Sequence, residues 1–191
     1  MDAHKKVTVA KTGLVIKHPF YGMLLLGLEE TWKAEDEGVE TCGVRPGAIV
    51  YNSRFIDTLT VPQLTGILAH EALHLGLLHP FRRKDRDIDR WNIACDHAVN
   101  LELKGTTGLE LPEPHLADPD YRDLNAEAIY PKIREDSGGT KTGEGKGEKK
   151  GAQDEKEKGL GRNRGSFDDH PWPKDLPEGE LGEAGSSCVV P

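Results

Sequence analysis

The sequence contains, at residues 60–80, the stretch TVPQLTGILAHEALHLGLLHP, from which its fold can best be predicted. Thr60 and Gln63, three residues apart, form the capping box that often begins an α-helix. Apolar side chains then recur at helical spacing as far as Pro80, which cannot continue a helix. These apolar residues are Leu64, Ile67, Leu68, Leu75 and Leu78. The pattern predicts one core helix that ends at Pro80.

This helix contains the motif HExxH, formed by His70, Glu71 and His74. Residues four apart lie one turn above each other on an α-helix, so both imidazoles can bind one ion. Two neutral histidines suit Zn²⁺, which lowers the pKa of a bound water to about 7, and Glu71 can then act as the general base. The alternative is a pair of surface histidines with an ion-paired glutamate, and the apolar character of the helix argues against it.

A catalytic zinc site needs a third protein ligand, and the sequence offers three candidates. His79 lies nine residues after His70, which is the opposite face of a continuous helix. Ligation by His79 would require the helix to break at Gly76, so we expect His79 to act beside the ligands or at the helix end. Asp96 and His97 lie on a second predicted helix, where His97 points about a quarter turn away from Asp96.

The second helix is predicted over residues 89–103. Asn92, Asp96 and Asn100 lie four residues apart on it and form a polar stripe in a largely apolar helix. We therefore predict that Asp96 is the third zinc ligand and that Asn100 orients a ligand. The alternative for Asp96 is helix capping or an ion pair with Arg90 or Lys104.

Two further elements are predicted before the HExxH helix. Residues 18–32 have a proline at their second position and apolar residues at helical spacing, so they predict a core helix. Residues 39–44 and 48–51 are short β-prone runs on either side of the turn sequence RPG, and they predict a hairpin. We expect an α+β fold in which the HExxH helix and the second helix pack against a small hairpin or sheet.

Composition changes sharply near residue 133. The 30 residues from 136 to 165 contain nine glycines and 14 charged residues, with only Ala152 and Leu160 as apolar side chains. Such a segment buries too little apolar surface to offset the entropy of ordering it. We expect a folded domain over residues 1–135, a disordered linker over residues 136–165 and a short tail over residues 166–191.

Charge and cysteine content narrow the functional classes. The formal net charge of −8 and the isoelectric point of about 5.5 argue against binding to nucleic acid or to acidic membranes. The three cysteines are widely spaced and form no disulfide framework, which indicates a reducing compartment. No apolar stretch reaches the roughly 18–20 residues of a membrane span, and no secretory signal is found, so a cytoplasmic protein is expected.

Five stretches resemble the metallopeptidase domain family whose members often precede a von Willebrand factor A-like domain in bacterial and phage proteins. They are TCGVRPGAIVYNSRFIDTLT (41–60), LTGILAHEALHLGLLHPFRR (64–83), RWNIACDHAVN (90–100), LNAEAIYPKI (124–133) and SFDDHPW (166–172). The chain is similar to the short, phage-type members without the von Willebrand domain. The resemblance implies a zincin-like fold of the gluzincin type. It also implies active-site roles for His70, Glu71, His74 and Asp96.

The motif and the resemblance predict a zinc-dependent metallopeptidase that hydrolyses a peptide or protein substrate. The hairpin would supply an edge strand along which an extended peptide can pair. The alternative is a metal-stabilised protein-interaction module with little or no hydrolytic activity. Glu71 favours the enzyme, because a structural zinc site closes its fourth position with a protein ligand and has no use for a base.

Deletion of residues 136–191 should leave the melting temperature of the domain nearly unchanged, because a linker of this composition buries almost no apolar surface. Thermal unfolding of the full and truncated chains, followed by circular dichroism, measures this. A large fall in the melting temperature would instead indicate that the segment SFDDHPWP at residues 166–173 packs on the domain.

Overall fold

The computed structural model describes residues 1–33 and 41–133, and their architecture is α+β, as predicted. The helices of these residues are α1 (Ala3–Lys17), α2 (Pro19–Leu26), α3 (Ser53–Thr58), α4 (Val61–Gly76), α5 (His79–Arg82), α6 (Ile88–Leu103) and α7 (Ala126–Ile129). The strands are β1 (Glu29–Lys33), β2 (Cys42–Arg45) and β3 (Ala48–Asn52). Short 3-10 helices cover Pro119–Tyr121 and Tyr130–Lys132. The predicted linker (136–165) and tail (166–191) lie outside the described residues.

The three strands form one sheet in the order β1-β3-β2, with β1 parallel and β2 antiparallel to β3. The predicted hairpin is confirmed, because it corresponds to β2 and β3. Gly47 in its turn has a φ of 78°, a left-handed conformation that glycine adopts without strain. One face of the hairpin is fully buried in the main core, through the side chains of Cys42, Val44, Ile49 and Tyr51.

The sequence analysis did not predict α1. Asp2 caps this helix, because its side chain accepts a hydrogen bond from the backbone N–H of Lys5 at 2.9 Å. The buried residues of α1 lie three or four positions apart and are Ala3, Val7, Ala10 and Leu14. Two of these four are alanines, so the apolar periodicity that would indicate the helix is weak.

The predicted helix over residues 18–32 is wrong beyond Leu26. The helix ends there, and Glu29–Lys33 form β1. Parallel pairing with β3 places Trp32 opposite Tyr51, with their ring centroids 4.8 Å apart. A strand whose partner lies this far along the chain depends on tertiary pairing, which local apolar spacing cannot reveal.

α4 begins at the predicted capping box. The Thr60 side chain accepts a hydrogen bond from the backbone N–H of Gln63, and the Gln63 side chain accepts one from the backbone N–H of Thr60. The helix ends at Gly76 rather than at Pro80, because Leu78 adopts a left-handed conformation with a φ of 56°. The chain then turns and forms the short helix α5.

α6 confirms the second predicted helix. The side chain of Asp87 caps it by accepting a hydrogen bond from the backbone N–H of Arg90 at 2.9 Å. α4 and α6 have 16 residues each. Within the described part of the chain, no helix combines the length and the apolar character needed to cross a membrane.

α7 packs on α6 through apolar contacts and is also held by an ion pair. Two small buried clusters join these helices, one with Trp91, Cys95 and Ala126 and the other with Ala94, Ile129 and Ile133. Arg82 of α5 donates two hydrogen bonds to the Glu127 carboxylate, one of them from Nε to Oε1 at 2.9 Å. Burial raises the pKa of Glu127, but the hydrogen bonds from Arg82, a backbone hydrogen bond and the charges of Arg82 and Arg86 together hold the pKa below its ordinary value.

The backbone that follows α6 returns across α4 and touches it at Gly66. A Cβ atom on Gly66 would lie 2.0 Å from the carbonyl oxygen of Glu110. Leu109 and Leu111, on either side of Glu110, pack against the main core. Only glycine allows the returning segment to approach α4 this closely.

Gly66→Ala should destabilise the protein by about 1–3 kcal/mol, because the added methyl group meets backbone atoms that cannot move aside. Gly13→Ala in α1 is the matched control, since a Cβ atom there meets nothing within 4 Å. It should stabilise the protein by about 0.5–1 kcal/mol through helix propensity. Urea denaturation of both variants measures the two changes, and a stabilising Gly66→Ala would contradict the close approach.

Candidate metal centre

α4 and α6 bring three potential metal ligands together in a fully buried position. His70 Nε2 and His74 Nε2 lie 2.9 Å apart. Asp96 Oδ1 lies 3.6 Å from His70 Nε2 and 3.3 Å from His74 Nε2. Each of the three residues is at most 1% exposed. We call these three residues the His-His-Asp cluster.

The cluster follows from the repeat of each helix. One turn of α4 separates His70 from His74, while Asp96 belongs to the polar stripe of α6. In that stripe Asp96 and Asn100 are buried, whereas Asn92 is only partly buried. The Oδ1 atom of Asn92 has no hydrogen-bond partner among the described residues. Two of the three residues of the predicted polar stripe, Asp96 and Asn100, are therefore buried inside the protein.

The spacing and the chemistry of the cluster fit a divalent metal ion. Ligand atoms in a tetrahedral site with bonds of about 2.0–2.1 Å lie about 3.3 Å from one another. The three distances in the cluster run from 2.9 to 3.6 Å, on both sides of that value. A cation also compensates a carboxylate that is otherwise expensive to bury. All three side chains can therefore serve as ligands of one ion.

Asn100 determines which nitrogen of His70 faces the cluster. Asn100 Oδ1 lies 2.7 Å from His70 Nδ1, and Asn100 Nδ2 donates a hydrogen bond to the Leu116 carbonyl at 2.9 Å. The Leu116 carbonyl can only accept, so the amide nitrogen of Asn100 faces it and the amide oxygen faces His70. Nδ1 of His70 therefore carries a hydrogen, and the Nε2 lone pair of the neutral ring points into the cluster.

Glu71 lies between α4 and the hairpin. Its side chain is fully buried, and Oε2 accepts a hydrogen bond from the backbone N–H of Val44 at 2.9 Å. Burial raises the pKa of the nearby Cys42 thiol, and the charge of Glu71 raises it further. The carboxylate is thus held by a strand in a region that excludes bulk water.

Tyr51 is a buried polar residue near Glu71 that the sequence analysis did not single out. Burial raises the pKa of Tyr51, and the charges of Glu30, Cys42 and Glu71 raise it further, so the phenol stays neutral. Its hydroxyl has no hydrogen-bond partner among the described residues. In the sequence Tyr51 has the spacing of an ordinary apolar strand residue. That spacing does not show that its hydroxyl is buried near Glu71.

His79 lies beside the cluster, as expected of a residue that acts beside the ligands, but the argument that it faces away on a continuous helix is wrong. Its Nδ1 is 3.1 Å from Nδ1 of His74, and the residue is 1% exposed. The reason is the helix break at Leu78, which turns the chain back before α5 begins. His79 therefore contacts the Nδ1 side of the His74 ring, whereas Nε2 of His74 faces the cluster.

His97 and Arg90 make contacts of their own elsewhere on α6. His97 Nδ1 accepts a hydrogen bond from the backbone N–H of Asp118 at 3.1 Å. The ring of His97 packs edge-on against Tyr121 with centroids 4.9 Å apart. The guanidinium of Arg90 lies over the ring of Tyr130, 4.6 Å from its centroid. His97 is not one of the three residues that form the cluster.

The comparisons with known proteins agree with this site at the level of the family. A family model described as "Putative metallopeptidase domain" matches residues 2–186, which is nearly the whole chain. No curated protein and no solved structure matches the chain. The matched range includes both helices of the His-His-Asp cluster and the HExxH motif. The chain therefore belongs to this metallopeptidase domain family.

Proposed function

We propose that this chain is a zinc-dependent metallopeptidase with a zincin-like fold of the gluzincin type. In this proposal His70, His74 and Asp96 hold the zinc ion, and Glu71 is the general base. The observation that carries the proposal is the buried cluster of two imidazoles and one carboxylate with a fixed glutamate beside it. Membership of the metallopeptidase domain family supports the class of reaction.

The donor set favours zinc over other divalent ions. Two imidazoles and one carboxylate are a common set of protein ligands for catalytic zinc, whereas Mg²⁺ and Ca²⁺ prefer oxygen ligands. Three side chains of the described residues form the cluster, and a catalytic site keeps its fourth position for water or substrate. When bound, zinc polarises the substrate carbonyl and lowers the pKa of a water molecule to about 7.

Glu71 handles the proton during hydrolysis in this proposal. Its carboxylate accepts a proton from the attacking water and then donates it to the nitrogen of the leaving amine. The backbone N–H of Val44 holds one carboxylate oxygen, so the group keeps its orientation while the charges change. Burial of Glu71 also strengthens its electrostatic effect, because little water screens it.

We propose that the substrate is a peptide or protein that pairs with β2. β2 lies at one side of the described sheet, with β3 as its neighbour there. An extended peptide can add to a strand edge through backbone hydrogen bonds. The Val44 N–H already donates to Glu71, so a peptide along this strand has to pair with the other backbone groups of β2, which still places it near the proposed base. The formal net charge of −8 makes nucleic acid an unsuitable substrate.

The first prediction of this proposal concerns metal binding. The purified protein should bind one zinc ion per chain, and His70→Ala or His74→Ala should abolish binding because two remaining ligands cannot form the site. Asp96→Ala also removes one of the three proposed ligands, so the loss of affinity should be no smaller than the loss of about 10–100-fold expected for a group that only supports a metal ligand. Competition with a chromophoric chelator measures the affinities.

His97→Ala is the matched control for metal binding. His97 is also a buried histidine and is the neighbour of Asp96, but its Nδ1 is bonded to the Asp118 N–H. This variant should bind zinc as tightly as wild type even if its melting temperature falls. Wild-type affinity in both the His70→Ala and the His74→Ala protein would exclude the cluster as the site.

The second prediction concerns catalysis. Glu71→Gln should retain zinc and the fold but lose about 100- to 10,000-fold in kcat, because the amide cannot accept a proton. Hydrolysis of a broad peptide library by wild type and variant, each loaded with zinc, measures the loss.

The exposed residue Glu102 of α6 supplies a control with the same chemical change. Glu102→Gln should hydrolyse peptides at the wild-type rate. If wild type binds zinc but cleaves no member of the library, the metal-stabilised interaction module becomes the better description and the proposed reaction fails.

A further inference from the structure

We infer that His79 is a positioning residue that selects the nitrogen through which His74 binds the metal. The inference rests on the proposed function, because it takes His74 as a ligand. It adds a second support to the site, next to the one that Asn100 gives to His70. His79 does not touch the metal or the substrate in this inference.

The contact between the two rings requires that one of them donates and the other accepts. The Nδ1 atoms of His74 and His79 are 3.1 Å apart, which is hydrogen-bond distance. Between two neutral imidazoles one of these nitrogens carries the hydrogen and the other offers a lone pair. The direction of this one bond therefore decides the tautomer of both rings.

Metal binding by His74 is compatible with only one direction. His74 Nε2 faces the cluster, so a metal ligand there must leave Nε2 without a hydrogen. The hydrogen of the neutral His74 ring is then on Nδ1 and is donated to Nδ1 of His79. His79 must consequently carry its own hydrogen on Nε2.

The surroundings of His79 hold its ring in place for this contact. The left-handed conformation of Leu78 brings the chain back toward α4 just before His79. The carbonyl of His79 accepts a hydrogen bond from Nε1 of Trp91 at 3.0 Å. The rings of His79 and Trp91 also meet edge to face, with centroids 6.0 Å apart, and Arg86 lies over the Trp91 ring. The buried ring of His79 is thus held in one orientation, in which its Nδ1 faces Nδ1 of His74.

The two supports of the cluster differ in chemistry. Asn100 presents an amide oxygen to His70, and an oxygen can only accept, so the tautomer of His70 is fixed. His79 presents a nitrogen that can accept or donate. The nitrogen through which His74 binds the metal therefore depends on which of its two tautomers His79 adopts.

Two substitutions separate hydrogen bonding from packing at position 79. In His79→Asn the side-chain oxygen stands at the same branch of the side chain as Nδ1, so it can still accept from His74. His79→Leu fills a similar space but offers no acceptor. His97→Leu is the control, because it removes another buried histidine of similar exposure without touching this contact.

The experiment measures zinc affinity by chelator competition and the tautomers of His74 and His79 by long-range ¹H–¹⁵N spectra of the full chain. His79→Leu should weaken zinc binding about 10–100-fold, and His79→Asn should recover most of that loss. His97→Leu should bind zinc like wild type. In the zinc-loaded wild-type protein, His74 should carry its hydrogen on Nδ1 and His79 should carry its hydrogen on Nε2.

Three results would overturn the inference. They are wild-type affinity in His79→Leu, equal losses in His79→Leu and His79→Asn, and a zinc-loaded wild type in which His74 is protonated at Nε2. The spectrum of the wild-type protein decides the question even if a variant fails to fold. Zinc binding without hydrolysis would overturn the proposed reaction and leave the role of His79 intact, so the two failures are distinguishable.

Discussion

The buried carboxylate of Asp96 is the constraint on which the rest of this structure depends. An ionised carboxylate in the interior is costly unless a charge compensates it, and a cation held between Asp96 and the two imidazoles within 3.6 Å of it would supply that charge. The packing of α6 against α4 therefore also forms the cluster, since α6 carries Asp96 and α4 carries the two histidines. If either helix shifted by a turn, at most one of the two imidazoles would still face the carboxylate. The close return of the chain over Gly66 keeps the segment after α6 pressed against α4.

Elements outside these two helices each add one contact to the site. The segment after α6 reaches it through the Leu116 carbonyl and Asn100, and α5 reaches it through His79. The hairpin reaches it through Val44 and Glu71. Each contact is a hydrogen bond to a polar group that would otherwise be buried at a cost, so the site is held by the same bonds that satisfy the core.

The sequence predicted those parts of the fold that depend on local periodicity. The capping box, the HExxH spacing and the polar stripe each lie within a single helix, so α4, α6 and the residues that meet between them could be named in advance. β1 could not, and for His79 a place beside the ligands was expected but the break in the helix that brings it there was not. β1 exists because it pairs with β3, and His79 turns toward His74 because Leu78, which is not a glycine, adopts a left-handed conformation. Both features are set by tertiary contacts that leave no mark on local residue spacing.

The hydrogen bond between Glu71 and Val44 links the proposed base to the strand proposed to bind the substrate. If a peptide substrate pairs with β2, the strand that receives it is also the strand that holds the carboxylate of the base. The Val44 N–H and the α4 helix both restrain the Glu71 side chain, so a peptide held on β2 meets a carboxylate of fixed position. A base carried on a separate loop would need its own restraint to reach the same alignment. The placement of Glu71 beside His70 on α4 extends this argument to the proposed metal, because one rigid helix carries the proposed base and two of the proposed ligands.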